Sequence, residues 1–107
     1  MPATFLSVYI TVPTMAEAQA IARALVEAKL AACVNIFPNV NSVYRWEGKV
    51  EEAQEIVLIA KSRTDAFEPL RQKVLNLHPA KCPCIVGLPF TMGHQPFLGW
   101  IVKETTP

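Results

Sequence analysis

The sequence predicts an α+β domain whose elements follow the order β-α-β-β-α-β, with a short helix at the C-terminus. Three observations lead to this fold class. Apolar residues with a period of two, or in short continuous runs, indicate strands. Apolar residues at helical spacing indicate two amphipathic helices between those strands, and prolines and glycines separate the segments. The length of 107 residues fits one domain, which we assign to residues 1–107.

The first strand and helix lie in residues 6–28. Apolar and polar residues alternate from position 6 to position 12, and Pro13 ends that strand. Thr14 and Glu17 then have the spacing of a capping box at the start of a helix. Apolar residues recur at positions 18, 21, 22, 25 and 28, which predicts an amphipathic helix of about four turns.

The middle of the chain predicts three extended segments. Residues 32–37 form a strand that Pro38 closes, and residues 40–46 form a separate extended run. Glu47-Gly48 provides a turn. Residues 55–61 follow, and their continuous apolar run is typical of a strand buried on both faces.

The last third predicts a helix, a strand and a short terminal helix. We expect Thr64 or Asp65 to cap the second helix, which ends at His78-Pro79. Residues 85–90 form the last strand, and Pro89 within it indicates a sheet edge or a bulge. Residues 96–103 form the C-terminal helix.

This order is the split βαβ, or ferredoxin-like, arrangement, with an antiparallel sheet and two helices on one face. No third long helix is available for the other face. The composition is 51% hydrophobic and 18% charged, and the mean hydropathy is +0.26, which is apolar for so small a domain. We therefore expect a close homo-oligomer that covers the surplus apolar surface.

Charge and cysteine content exclude several functional classes. The formal charge of +1 gives no electrostatic basis for binding nucleic acid. The apolar runs are too short to span a membrane. Three cysteines are too few for a disulfide framework, so the chain is interpreted as cytoplasmic with reduced thiols.

The strongest candidate for metal chemistry is Cys82-Pro83-Cys84, which follows His78 by four residues. Two thiols on one side of an extended segment, with an imidazole nearby, are donors suited to Cu(I) or Zn(II). The alternative is structural: cysteine packs well as a small hydrophobe, and His78 could cap the helix C-terminus. Cys33, in an apolar context, is interpreted as a structural thiol from its neighbours alone.

A second candidate group comprises Tyr44, Trp46 and Lys61. Tyr44 and Trp46 share one face of a strand and could form the wall of a cleft, where Lys61 could meet an anion. The alternative is that the two aromatics are anchors of a subunit interface. Both interpretations are compatible, since ligand sites often lie at subunit boundaries.

Catalysis has little support in the sequence, and we predict that the protein is not an enzyme. Cys82 and His78 could form a nucleophile pair, but no motif supplies an oxyanion hole. His94 lies in a loop segment and is interpreted as a solvated turn residue.

Several segments together resemble the CutA divalent-cation-tolerance family. Residues 30–35 read LAACVN, residues 43–48 contain the Y-x-WEG pattern, and residues 77–79 with Pro83 partly match the family's HPY-x-x-PE segment. Pro89 and the late Leu98-Gly99-Trp100 segment also fit the pattern, and the match extends over residues 6–103. We include Trp100 among the candidate cleft residues.

This resemblance implies a trimeric protomer whose fold is similar to that of the PII signalling proteins, and no enzymatic activity. It also implies tolerance to copper and other divalent cations, with Cys33 as a thiol beside the cleft. No obligatory cofactor is implied; Cu(I), Cu(II) or another divalent metal ion is the expected ligand. The alternative function is a PII-like sensor that binds a small metabolite or anion in the inter-subunit cleft.

The chain departs from the family at one segment. Ala80 stands where the family has tyrosine, and Cys84 stands where it has glutamate. The exchange replaces a hard carboxylate donor with a soft thiol, which would shift metal preference towards soft ions.

Overall fold

The computed structural model describes residues 4–107, which form a four-stranded sheet and three α-helices. The strands are β1 (Phe5–Val12), β2 (Cys33–Trp46), β3 (Lys49–Arg63) and β4 (Ile85–Pro89). The helices are α1 (Met15–Glu27), α2 (Phe67–Leu77) and α3 (Gln95–Glu104). The sheet order is β2-β3-β1-β4 and every neighbouring pair is antiparallel. The predicted order of elements is confirmed.

The core lies between the sheet and the two longer helices. Thr14 caps α1, since its hydroxyl oxygen accepts a hydrogen bond from the Glu17 N–H at 3.2 Å. The alternating apolar residues of β1 face this core, as do the apolar stripes of α1 and α2. The buried cluster consists of Leu6, Val8, Ile10, Val12, Ala18, Ile21, Leu25, Ala31, Leu58, Ala60, Leu70 and Val74.

The prediction of two separate extended segments before residue 47 was wrong, because they form the single strand β2. Phe37 pairs with Val57 and Val40 pairs with Glu55. Between these two pairs the chain advances by three residues in β2 and by two residues in β3. One extra residue is therefore accommodated as a β-bulge, where Asn39 has a φ of 61°. Pro38 and Asn39, which the sequence pattern predicts as the end of a strand, lie within this bulge.

Strand β3 also begins earlier than predicted, at Lys49, because the turn at Glu47-Gly48 pairs its first residues with β2. Strand β1 pairs with β3 only as far as the Val12–Ile56 pair. The outer part of the hairpin, residues 40–55, therefore extends beyond the rest of the sheet, and we call it the hairpin arm. The molecule measures 44 × 26 × 22 Å.

The expected cap of α2 was wrong in detail. Thr64, Asp65 and Ala66 form a 3-10 turn, and Ala66 occupies the N-cap position of α2 without a side-chain cap bond. The helix ends at Leu77 with His78 as its C-cap, which agrees with the predicted end at His78-Pro79. The position of β4 at a sheet edge is also confirmed, and Pro89 is its last residue.

Helix α3 covers part of the second face of the sheet. Ser62 faces the core, so its neighbour Arg63 points to the second face of the sheet. The Arg63 guanidinium donates from Nε to the Thr105 hydroxyl at 2.8 Å and from Nη2 to the Thr105 carbonyl at 3.0 Å. Ile101 of α3 is fully buried. Phe37, Val86 and Leu88 on the same face stay about half exposed, at 47%, 48% and 52%. The second face is thus partly covered within one chain.

Candidate functional site

A cleft of about 560 Å³ lies at the end of the sheet where β1 stops. Its volume is in the range of small-molecule sites. Three parts of the chain form its walls: the end of β1, the hairpin arm, and the loop between α2 and β4. The lining residues are Thr11, Pro13, Ser42, Tyr44, Trp46, Glu55, His78, Ala80, Lys81, Cys82, Pro83 and Cys84.

His78 anchors the beginning of that loop with both ring nitrogens. The Ala80 backbone N–H donates to Nδ1 at 3.0 Å, so Nδ1 has no proton in this arrangement. Nε2 lies 2.7 Å from the Thr11 carbonyl oxygen, which can only accept, so Nε2 has the proton and donates it. These contacts define a neutral imidazole protonated at Nε2.

The end of the loop is attached to the same strand. The Thr11 N–H donates to the Cys84 carbonyl oxygen at 3.4 Å, immediately before β4 begins to pair with β1. The loop of residues 78–84 is therefore held at both ends by the backbone of Thr11. Its middle, which includes Lys81 and Cys82, is exposed to solvent.

The two thiols of the loop differ in environment. Cys82 is exposed, whereas Cys84 is partly buried, and all three cysteines of the chain are free. Burial raises the pKa of the Cys84 thiol, the negative charge of Glu55 raises it further, and a hydrogen bond with the Thr11 side chain opposes both. Burial and the charge of Glu55 thus disfavour the thiolate of Cys84.

Tyr44 and Trp46 reach the cleft from the hairpin arm. They lie on one face of β2, opposite Glu51 and Lys49 of β3, and both are nearly half exposed. The cleft therefore combines aromatic surface, two thiols, one ammonium group and one carboxylate. It brings together five of the predicted site residues, which are Tyr44, Trp46, His78, Cys82 and Cys84.

The other three predicted site residues lie outside this cleft in the single chain. Cys33 of β2 pairs with Lys61 of β3, whereas Thr11 in the cleft pairs with Val57 of β3. Val57 and Lys61 are four residues apart, which corresponds to about 13 Å along the strand. The Lys61 ammonium donates to the Asn35 side-chain oxygen instead of facing the cleft. Trp100 stacks on Phe97 with ring centroids 5.7 Å apart.

Within residues 4–107, no group of three or more His, Cys, Asp and Glu side chains is placed to hold a metal ion. The predicted set of Cys33, His78, Cys82 and Cys84 is therefore not assembled in one chain. The structure does hold Cys82 and Cys84 in the same cleft, close to each other in sequence.

Sequence reasoning missed Thr11, Ser42 and Glu55. The tight turn at Glu47-Gly48 sets the register of the hairpin, which places Ser42 and Glu55 on the face of Tyr44 and Trp46. That signal was available in the sequence. The role of Thr11 depends on its backbone, which no residue pattern reveals.

A second groove, of about 530 Å³, lies between α1 and the edge strand β2. Gln19, Arg23 and Glu27 are the polar residues that line it, beside apolar residues such as Val34. It contains neither cysteine nor histidine, so the cleft at the end of β1 is the candidate site for soft-metal chemistry.

The fold and the cleft together define a small four-stranded α+β protein with a ligand-sized cleft at one end of its sheet. The model of the family described as CutA1 divalent ion tolerance protein matches residues 6–104. The divalent-cation tolerance protein CutA of Thermus thermophilus is 49% identical over 98 residues, which cover 92% of this chain and 95% of the relative. This chain therefore belongs to the CutA1 divalent ion tolerance family, and the resemblance inferred from the sequence motifs is confirmed.

Solved structures support the same assignment. The Thermus thermophilus protein superposes with a TM-score of 0.93 at 47% identity, covering 95% of this chain and 99% of that one. A structure from Archaeoglobus fulgidus, described as a periplasmic divalent cation tolerance protein CutA, has a TM-score of 0.93 at 43% identity with the same coverage. Within residues 4–107, none of the helices combines the length and the apolar content needed to cross a bilayer. The cytoplasmic location stays a prediction.

Proposed function

We propose that this chain is a copper-binding cation-tolerance protein that acts as a homotrimer without catalysing a reaction. The observation that supports it best is the single cleft that Cys82 and Cys84 line together with Tyr44 and Trp46. Thiolates are soft ligands that prefer Cu(I), Zn(II) and similar ions. The family's name refers to divalent ions. Among these metals copper suits two thiols well, because its reduced ion, Cu(I), is soft.

The trimer is supported by the apolar surface that one chain leaves uncovered. Phe37, Val86 and Leu88 lie on the second face of the sheet, where α3 covers only one part. A neighbouring chain that packed there would remove this surface from water, at about 25 cal/mol for each Å² of apolar area. The three free cysteines suit a reducing compartment such as the cytoplasm.

Native mass spectrometry of the reduced protein, with and without anaerobic Cu(I), tests the proposal. We expect a trimer that takes up about one ion per chain, in keeping with one two-thiol loop in each protomer. The double variant C82S/C84S should remain a trimer and lose the ion, while C33S serves as the matched single-thiol control. A trimer that takes up no ion would contradict the copper function and leave the assembly intact.

A second candidate function is a PII-like sensor that binds a small metabolite or anion in the cleft. Tyr44 and Trp46 favour it, because aromatic surface and the Lys81 ammonium line the same cleft. On this alternative, W46A and K81A should abolish ligand binding while alkylation of the thiols has no effect. The copper function predicts that alkylation of the thiols abolishes binding and that W46A leaves it intact, so these two samples separate the candidates.

A further inference from the structure

We infer that the copper site is a two-thiolate site, made by Cys82 and Cys84 alone, for a soft two-coordinate ion such as Cu(I) or Ag(I), and that His78 positions the loop without ligating the ion. This inference rests on the proposed function and names its ligand class. It predicts weak binding of divalent ions at this cleft.

Both ring nitrogens of His78 already have hydrogen-bond partners within the chain. An imidazole binds a metal through an unprotonated ring nitrogen. Nδ1 is the unprotonated nitrogen here, and it already accepts the Ala80 N–H, while Nε2 donates its proton to the Thr11 carbonyl. Ligation of a metal through Nδ1 would leave the Ala80 N–H without its acceptor. Ligation through Nε2 would leave the Thr11 carbonyl without its donor. His78 is thus committed to holding the loop.

The contacts of His78 help to hold the loop that contains the two thiols. Thr11 accepts from His78 through its carbonyl and donates to the Cys84 carbonyl through its N–H. The two ends of the loop are therefore fastened to one residue of a core strand. Pro83 further restricts the backbone between the thiols. His78 consequently acts as a positioning residue, which limits how far Cys82 can move from Cys84.

The donors available in the cleft suit a soft ion of low coordination number. Within the described residues, no third His, Cys, Asp or Glu side chain joins the thiols in a metal-holding group. Glu55 is near enough to disfavour the Cys84 thiolate, but its carboxylate is a hard donor. Zn(II) usually requires four ligands, three of them from protein even in open sites. Two thiolates satisfy Cu(I) or Ag(I), which accept two-coordinate geometry.

The binding reaction is a proton exchange with no change of oxidation state. One Cu(I) ion forms two Cu–S bonds, the two S–H bonds break, and both protons pass to solvent. The bound unit has one net negative charge. The Lys81 ammonium, which lines the same cleft beside Cys82, is positioned to offset that charge.

The test uses the full-length reduced protein loaded anaerobically with Cu(I). X-ray absorption at the copper edge should show two sulfur neighbours and no imidazole. Long-range ¹H–¹⁵N spectra of His78 should show the tautomer protonated at Nε2 both before and after loading, and the Ala80 amide should stay protected from exchange. An imidazole signal from copper, or loss of the Ala80 protection on loading, would overturn the inference.

Variants separate positioning from ligation. C82S and C84S should each lose Cu(I) at concentrations that saturate the unaltered protein. H78A should weaken binding about 10-fold, as for other residues that orient metal ligands. H78Q should recover most of that loss, because its amide can donate to the Thr11 carbonyl. H94Q, at the exposed N-terminus of α3, is the matched control and should leave affinity unchanged.

The possible failures are distinguishable. If the unaltered protein takes up no Cu(I), the proposed copper function is overturned together with this inference. If Cu(I) binds but X-ray absorption shows an imidazole neighbour that H78Q removes, His78 is a ligand and only the inference is overturned. If Zn(II) competes with Cu(I) on equal terms in the same titration, the assignment to a soft two-coordinate ion is overturned, while metal binding stands.

Discussion

Cys82 and Cys84 are separated by one residue, yet their surroundings make them chemically different. Cys84 is partly buried, its carbonyl accepts a hydrogen bond from the Thr11 N–H of β1, and the negative charge of Glu55 acts on its thiol. Cys82 is exposed at the middle of the loop. Since the thiolate is the reactive form of cysteine, exposure and pKa together determine which thiol reacts first.

We therefore predict that iodoacetamide modifies Cys82 before Cys84 at neutral pH. The ordinary pKa of a cysteine thiol is about 8.5. The rate of alkylation at Cys84 should keep rising above that pH, because burial and the charge of Glu55 raise the pKa of this thiol. E55Q should move the Cys84 profile towards lower pH. Peptide mapping by mass spectrometry follows both sites. E52Q, on the opposite face of β3, is the matched control, and an equal shift in E52Q would contradict the role given to Glu55.

At the scale of elements, the hairpin arm depends on an uncommon turn. Glu47 and Gly48 have φ values of 50° and 82°, both in the left-handed region. Two consecutive positive φ values are typical of a type I′ hairpin turn, whose first position favours asparagine or glycine. Glutamate there is strained, whereas glycine at the second position is not.

Replacing Glu47 with asparagine should therefore stabilise the protein, by about 0.5–1 kcal/mol, because asparagine tolerates the left-handed conformation. G48A should destabilise it, since alanine at φ 82° is strained even though no atom lies within 4 Å of the added Cβ. Urea unfolding measures both. A stabilising G48A would show that the turn can adopt another type.

The attachment of α3 to the sheet depends on one threonine. The Thr105 hydroxyl accepts from Arg63 Nε and donates to the Ile101 carbonyl at 2.7 Å, and Thr105 is buried. T105V keeps the shape and removes both bonds, so we expect a loss of about 1–3 kcal/mol in the free energy of unfolding.

T106V is the matched control for that substitution. Thr106 is exposed and its hydroxyl bonds only to the Val102 carbonyl of its own helix, at 2.6 Å. It should change stability by less than about 0.5 kcal/mol. Thermal unfolding compares the two variants, and equal effects would mean that the Arg63 contact contributes little.

The elements also show where the sequence was informative. The strong alternation of β1 and the helical stripes of α1 and α2 predicted the core, because burial on one face leaves that periodicity in the residues. The bulge at Asn39 was not predicted, since Pro38-Asn39 suits the end of a strand equally well. Cys82, Cys84 and His78 were predicted as neighbours from spacing alone. The Thr11 contacts of His78 were not, because they join residues 67 positions apart.

For the whole molecule, the uncovered apolar surface predicts how assembly should respond to charge. Val86 and Leu88 lie on the second face of the sheet, opposite Tyr9 and Ser7 of β1. V86E/L88E should shift the protein from the proposed trimer to monomer, because a carboxylate cannot be buried there without a partner. Native mass spectrometry or light scattering measures the mass. V26E, on the helical side, is the control, and a trimer that survives V86E/L88E but not V26E would place the interface on the opposite surface.

The hairpin arm has a consequence for how the molecule opens. Beyond the Val12–Ile56 pair its strands pair with no third strand among residues 4–107, and two-stranded hairpins are marginally stable in water. Its amides should therefore exchange with solvent through local opening, independently of the core, unless a second chain covers the arm. Deuterium uptake in residues 40–55 then becomes a measure of assembly: dilution should accelerate uptake in the arm long before it affects β1.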